Sequence, residues 1–171
     1  MEPRKSEDKI NMGTEYKLRF GETTLTLDKG FMSEGGKLPP MTDLVTPELN
    51  KSGSPDGCCK TIFTVPSLDT HVCERQIKRL SDSFAYPADD NTVYFVVSVD
   101  TPFAQARFIK ENAINPRIRF LSDYAEHRFM EQTGLRIVEL NLFARAVIEC
   151  DENDIVRRIT AVSYTHLTLP T

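Results

Sequence analysis

The fold class the sequence predicts is α/β, a mixed sheet flanked by helices, and three observations predict it. Two strand-length apolar runs, KTIFTV and TVYFVVSV, are each followed by a segment at helical spacing, CERQIKRLSDSF and PFAQARFIKENA. Near the end, RAVIEC and IVRRI flank Asp-Glu-Asn-Asp and read as a hairpin. Near the start, YKLRF and TTLTL alternate on either side of Gly21 and Glu22, the period and turn chemistry of an N-terminal β-hairpin. A chain of 171 residues with 40% hydrophobic content suits one domain with a core of ordinary size.

Taken in order, residues 1–14 are polar and charged without periodicity, which predicts a flexible N-terminal arm ahead of a domain at 15–160. Asp28 to Gly57 is rich in Gly, Pro, Ser and Asp and should be loop, with one short strand near Thr42 to Thr46. Lys60 to Val65 reads as a buried strand. Cys73 to Phe84 places Ile77, Leu80 and Phe84 at helical spacing. Thr92 to Val99 is the strongest strand signal, β-branched and aromatic, and the helix after it opens with Pro102. Ile118 to Leu121 suits a further strand, and Asp123 to Gln132 a helix closed by Gly134. The tail from 161 to 171, ending VSYTHLTLPT, fits the translation of a transposon-end sequencing adapter. The expectation is therefore a non-native tail, with a genuine polar strand as the alternative.

With 25 acidic and 21 basic residues interspersed, nothing favours a nucleic acid or an anionic membrane as partner. The polar start MEPRKSEDKINM lacks the apolar core of a signal peptide, so a cytoplasmic location is expected. Cys58, Cys59, Cys73 and Cys150 have neither zinc-site spacing nor the density of a disulfide framework, so the default is free thiols with no metal and no cofactor.

Cys73 stands apart. A strand ending at Pro66, a short loop, and a cysteine in the first turn of a helix place the thiol where unpaired backbone N–H groups favour an anion. Such a position can lower a thiol pKa from roughly 8.5 toward neutrality, and the thiolate is the nucleophile. Thr70 can offer a hydroxyl to the sulfur or to an incoming oxygen. A helix-start cysteine equally suits packing, Pro66 a plain strand terminator, and His71 an exposed side chain.

The pattern P-x-x-x-T-x-x-C, here Pro66, Thr70 and Cys73, matches the active-site signature of peroxiredoxins. VPSLDTHVCERQ (65–76), SVDTPFAQARF (98–108) and FARAVIECDEND (143–154) resemble the thiol peroxidase subfamily, the atypical two-cysteine peroxiredoxins. The resemblance implies a thioredoxin-like sheet, with the N-terminal hairpin as the subfamily's addition. It implies that Cys73 is the peroxidatic cysteine, attacking a hydroperoxide to become a sulfenic acid. Thr70 would orient the peroxide, Arg145 would bring a guanidinium to the sulfur and oxygens, and Pro66 would shield the thiolate. Outside the resemblance, Arg145 is a surface ion-pair residue. A homodimer and a thiol reductant, thioredoxin or another external thiol, are the implied partners. Relatives carry a further segment ending in a helix, so the chain as written should expose apolar sheet surface and be less stable than a completed version.

One departure matters. The subfamily's resolving cysteine commonly follows PFAQxRF directly, and here that position is Ile109. At strand rise, Cys59 lies roughly 20 Å and Cys150 roughly 16 Å from the Cys73 end, beyond disulfide reach. If their two strands run antiparallel, Cys58 or Cys59 lies near Cys150. The expectation is a one-cysteine cycle with Cys58, Cys59 and Cys150 as structural thiols, local unfolding of the helix being the route to any other. Two alternatives remain: a redox-sensing or binding module whose cysteine turns over once, and a decayed site with no peroxide chemistry.

Overall fold

The computed structural model describes residues 17–20, 22–27, 32–53, 57–84 and 91–161. The expected arm 1–14, Gly21 of the first turn and the tail 162–171 lie outside the described residues. β1 (Lys17–Phe20) pairs antiparallel with β2 (Thr23–Thr26). β3 (Cys59–Thr64), β4 (Thr92–Ser98) and β5 (Ile118–Ser122) are parallel. β6 (Arg136–Ile137) pairs antiparallel with β7 (Leu142–Phe143). β8 (Ala146–Cys150) and β9 (Val156–Ala161) join the parallel strands in antiparallel sense, giving a five-stranded sheet in the order β5-β4-β3-β8-β9.

Parallel neighbours require crossovers, and these are the helices α1 (His71–Ser83) and α2 (Pro102–Glu111). Strand alternation divides the apolar residues between two cores. Ile62, Phe95, Val97, Leu121 and Ile148 face one core with Leu44, Phe129 and Phe143. Val96, Ile118 and Phe120 face the other, where α1 supplies Cys73 and Ile77 and α2 supplies Phe108. Because both faces are covered, Phe95 to Ser98 are all buried, which explains the unbroken apolar run of β4.

Three expectations need correction. The third helix, α3, covers only Arg128–Thr133. Residues 124–126 form a turn, His127 is left-handed at φ 55°, and the helix start is capped from outside. The Asp123 carboxylate accepts from the Phe129 and Met130 N–H groups at 3.4 and 2.8 Å. No strand forms at 42–46. Val45 alone makes a bridge, exchanging backbone bonds of 3.0 and 2.8 Å with Ser122. Finally, α1 begins at His71, ahead of Cys73, because Thr70 caps it.

Candidate active site

The loop between β3 and α1 leaves the sheet at buried Val65 and Pro66 and turns through Ser67 to Thr70. Thr70, in extended conformation at φ −94° and ψ 143°, is the N-cap of α1. Its Oγ1 accepts the Cys73 N–H at 3.2 Å, the bond that Ser and Thr caps supply to the third helical residue. The same hydroxyl lies 3.4 Å from the Ser67 carbonyl, to which it donates, and it also reaches the Cys73 sulfur. Cys73 is 1% exposed and packs against Val65, Leu68 and Ile77.

Arg145 immediately precedes β8, and the β3–β8 pairing places it at the Thr64 end of β3. Its Nε donates to Gln76 Oε1 at 2.7 Å, which fastens the guanidinium to α1 one turn after Cys73. Pro66, Thr70, Cys73 and Arg145 therefore meet at one end of the sheet. His71 is exposed. Two groups that sequence reasoning did not single out join them. Gln76 is one, and its spacing of three residues from Cys73 is the signal that could have found it. Asp100 is the other. It accepts from the Leu68 N–H at 2.9 Å and from Ser67 Oγ at 3.2 Å, with no local signal to link residues so far apart.

The electrostatic balance differs from the helix-start expectation. Burial pushes the Cys73 thiol above its ordinary range. The Thr70 hydroxyl, the Arg145 charge and the Ser67 backbone act against that, and the Asp100 charge acts with it. Desolvation, which a helix terminus alone does not reveal, is the largest effect here.

The other thiols lie at the opposite end. β3 and β8 are antiparallel with Lys60 opposite Cys150, so Cys59 and Cys150 share the pole away from Cys73. None of the four cysteines is in a disulfide. Burial among neighbouring acids pushes the Cys150 thiol up to about 12. Ile109, where the subfamily's resolving cysteine would stand, is half-buried on α2 and packs against the cluster that contains Cys73. Among the described residues no group of three or more His, Cys, Asp or Glu could hold a metal ion, and no helix is long and apolar enough to cross a membrane.

A thioredoxin-like sheet with a buried cysteine at a capped helix start defines a class, the thioredoxin-fold thiol proteins. The redoxin family model matches residues 35–169, and the chain belongs to that family, among its thiol peroxidases. It is 39% identical over 147 residues to a thiol peroxidase of Oceanobacillus iheyensis, covering 85% of each chain. To a thiol peroxidase of Streptococcus pneumoniae it is 38% identical over 121 residues, 70% of this chain and 72% of that one. Its structure is similar to that of a peroxiredoxin-like protein from Aquifex aeolicus, with a TM-score of 0.78 and 30% identity over 88% of each chain. The thiol peroxidase from Chromobacterium violaceum shares the fold, with a TM-score of 0.75 at 23% identity over 87% of each chain.

Proposed function

We propose that the chain is a thiol-dependent peroxidase that reduces hydrogen peroxide or small organic hydroperoxides at Cys73. The observation that carries this reading is the meeting of Cys73, Thr70 and Arg145 at a capped helix start, in a chain of the redoxin family. The Cys73 thiolate attacks the distal oxygen of ROOH. An S–O bond forms, the O–O bond breaks, and the alkoxide takes a proton to leave as ROH or water. The sulfur is oxidised by two electrons and the peroxide reduced by two.

Thr70 orients the peroxide and Pro66 screens the sulfur from water. Arg145 is the cation that favours the thiolate against burial and stabilises charge developing on the oxygens. Gln76 holds its guanidinium in place. Because Ile109 replaces the usual partner, an external thiol, thioredoxin or an equivalent, resolves the sulfenic acid. Its thiolate displaces water to give a mixed disulfide, and a second thiol releases Cys73. The chain works as a homodimer in this reading, and Phe103, 70% exposed beside the site, is an apolar side chain suited to that contact.

The test is peroxide consumption with thioredoxin and its reductase, or with dithiothreitol. Many equivalents consumed per chain, lost in Cys73→Ser, is the expected result. Arrest after one equivalent would favour a redox sensor, and no consumption would overturn the reading. Sedimentation velocity tests the dimer, with a monomer at all concentrations overturning it.

A further inference from the structure

The loop that carries the site is held by a carboxylate from another element. Asp100 lies between β4 and α2, and its two oxygens take the Leu68 N–H at 2.9 Å and the Ser67 hydroxyl at 3.2 Å. Those residues begin the turn: Ser67 Oγ accepts from the Asp69 N–H at 3.1 Å, and the Ser67 carbonyl accepts from Thr70. Asp100 is itself fixed at both ends of its backbone. Its N–H donates to Ser98 Oγ at 3.3 Å, and its carbonyl accepts from the Ser122 hydroxyl. Fully buried Gln105 ties the same frame together, donating to Ser98 Oγ at 3.1 Å and the Leu121 carbonyl at 2.9 Å. A negative charge here disfavours a thiolate on Cys73, so the carboxylate's benefit to the site is geometric rather than electrostatic.

We propose that Asp100 is a positioning residue for Cys73, a strut between the end of β4 and the Ser67–Thr70 turn that sets Thr70 and Cys73 for attack on a peroxide. The proposal rests on the peroxidase reading above. It requires that the strut matter more for peroxide, which must be oriented, than for a reagent that meets the same sulfur without a bound oxygen.

The experiment compares wild type, Asp100→Ala and Asp100→Asn across pH, reading Cys73 oxidation by hydrogen peroxide and Cys73 alkylation by iodoacetamide. The charges acting on the sulfur are those of Arg145, ahead of β8, and Asp100 itself; the titratable side chains next to it on α1 are Glu74, in the same turn, and His71, at the helix start. Asp100→Ala is expected to slow oxidation by about tenfold or more, and to lower the ratio of oxidation to alkylation by a similar factor. Asp100→Asn keeps an acceptor for Leu68 and a polar partner for Ser67. It should restore oxidation to within about threefold of wild type, with the pH midpoint of alkylation moved down. If Asp100→Ala does not fold, Asp100→Asn against Ser67→Ala carries the test, Ser67→Ala losing oxidation while keeping alkylation. Oxidation by Asp100→Ala within about twofold of wild type, an equal loss with both reagents, or Asp100→Asn no better than Asp100→Ala overturns the strut. With an unfolded Asp100→Ala, unchanged oxidation in Ser67→Ala does the same. A wild type whose Cys73 does not react with peroxide overturns the peroxidase reading instead, a result distinct from a reactive wild type matched by its Asp100→Ala variant.

Discussion

Replacing Asp154 by asparagine removes one charge from the Lys60–Asp154 pair at the pole of the sheet opposite Cys73. Lys60 is the second residue of β3 and its side chain is 1% exposed, whereas that of Asp154 is 25% exposed, with Nζ and Oδ1 2.5 Å apart. The two partners are therefore not equivalent. Asp154→Asn keeps the shape and tolerates the left-handed backbone at φ 64°, but it leaves an ammonium buried without a counter-charge. Breaking a buried pair from one side costs about 3–5 kcal/mol, and the water that can reach the Asp154 side places this case near about 3 kcal/mol. Lys60→Met leaves a carboxylate that can turn to solvent and fills the space with apolar atoms, so its cost should be about 1 kcal/mol or less. Urea unfolding at pH 7 reads both, with unchanged m-values showing that the unfolded ensemble is unaltered. Oxidation of Cys73 should be the same in both variants, since the pair lies at the far end of the strand. A cost for Lys60→Met equal to or above that for Asp154→Asn would refute the reasoning.

At the site itself, Arg145→Ala should slow peroxide reduction by about 10²-fold and raise the Cys73 pKa further, because the lost cation opposes desolvation; rates measured across pH read both effects. Thr70→Val removes the N-cap acceptor and the hydroxyl together, so it should cost about 1 kcal/mol in urea unfolding as well as peroxidase activity, whereas Thr70→Ser should retain most of both. Cys150 predicts an alkaline limit. Its thiol is pushed up to about 12 in the fold against roughly 8.5 in the unfolded chain, so from about pH 9 upward the unfolded chain has lost a proton that the native state keeps. Stability is then lost as pH rises through that window, by up to about 1.4 kcal/mol per unit, and Cys150→Ala should flatten the slope in urea titrations between pH 8 and about pH 11. Ile109→Cys should restore an intramolecular resolving thiol, read by peptide mass spectrometry after peroxide as a disulfide between Cys73 and the introduced thiol; continued sulfenate with no disulfide would count against that placement.

Much of this fold was written in local patterns. β4 and α2 are legible because an unbroken apolar run needs both faces covered, and because Pro102 opens a helix-forming segment, whose N-cap Thr101 the structure adds. Cys73 was legible as a cysteine in the first turn of a helix and Thr70 as a hydroxyl near it, whereas the N-cap bond from Thr70 to the Cys73 N–H, which starts α1 at His71, emerged only from the structure. The start of α3 was not, because its cap is the side chain of Asp123, which comes from the end of β5 rather than from the residue before the helix. The two-residue strands β6 and β7 are too short for any periodicity to register. Within the site, the Arg145–Gln76 and Asp100–Leu68 bonds join residues 69 and 32 positions apart, and only the strand order brings them together. The titration of the Cys73 thiol was not legible either, since a helix start shows in the sequence but the cost of burying a charge at a position 1% exposed does not.

The most direct test of the central claim is peptide mass spectrometry after one equivalent of hydroperoxide, with a sulfenic-acid trap present. Trapped sulfenate on Cys73, with Cys58, Cys59 and Cys150 still free thiols, is the predicted result. An unmodified Cys73, or a disulfide joining it to one of the other three, would contradict the account: the first removes the peroxidatic cysteine, and the second the external resolving thiol.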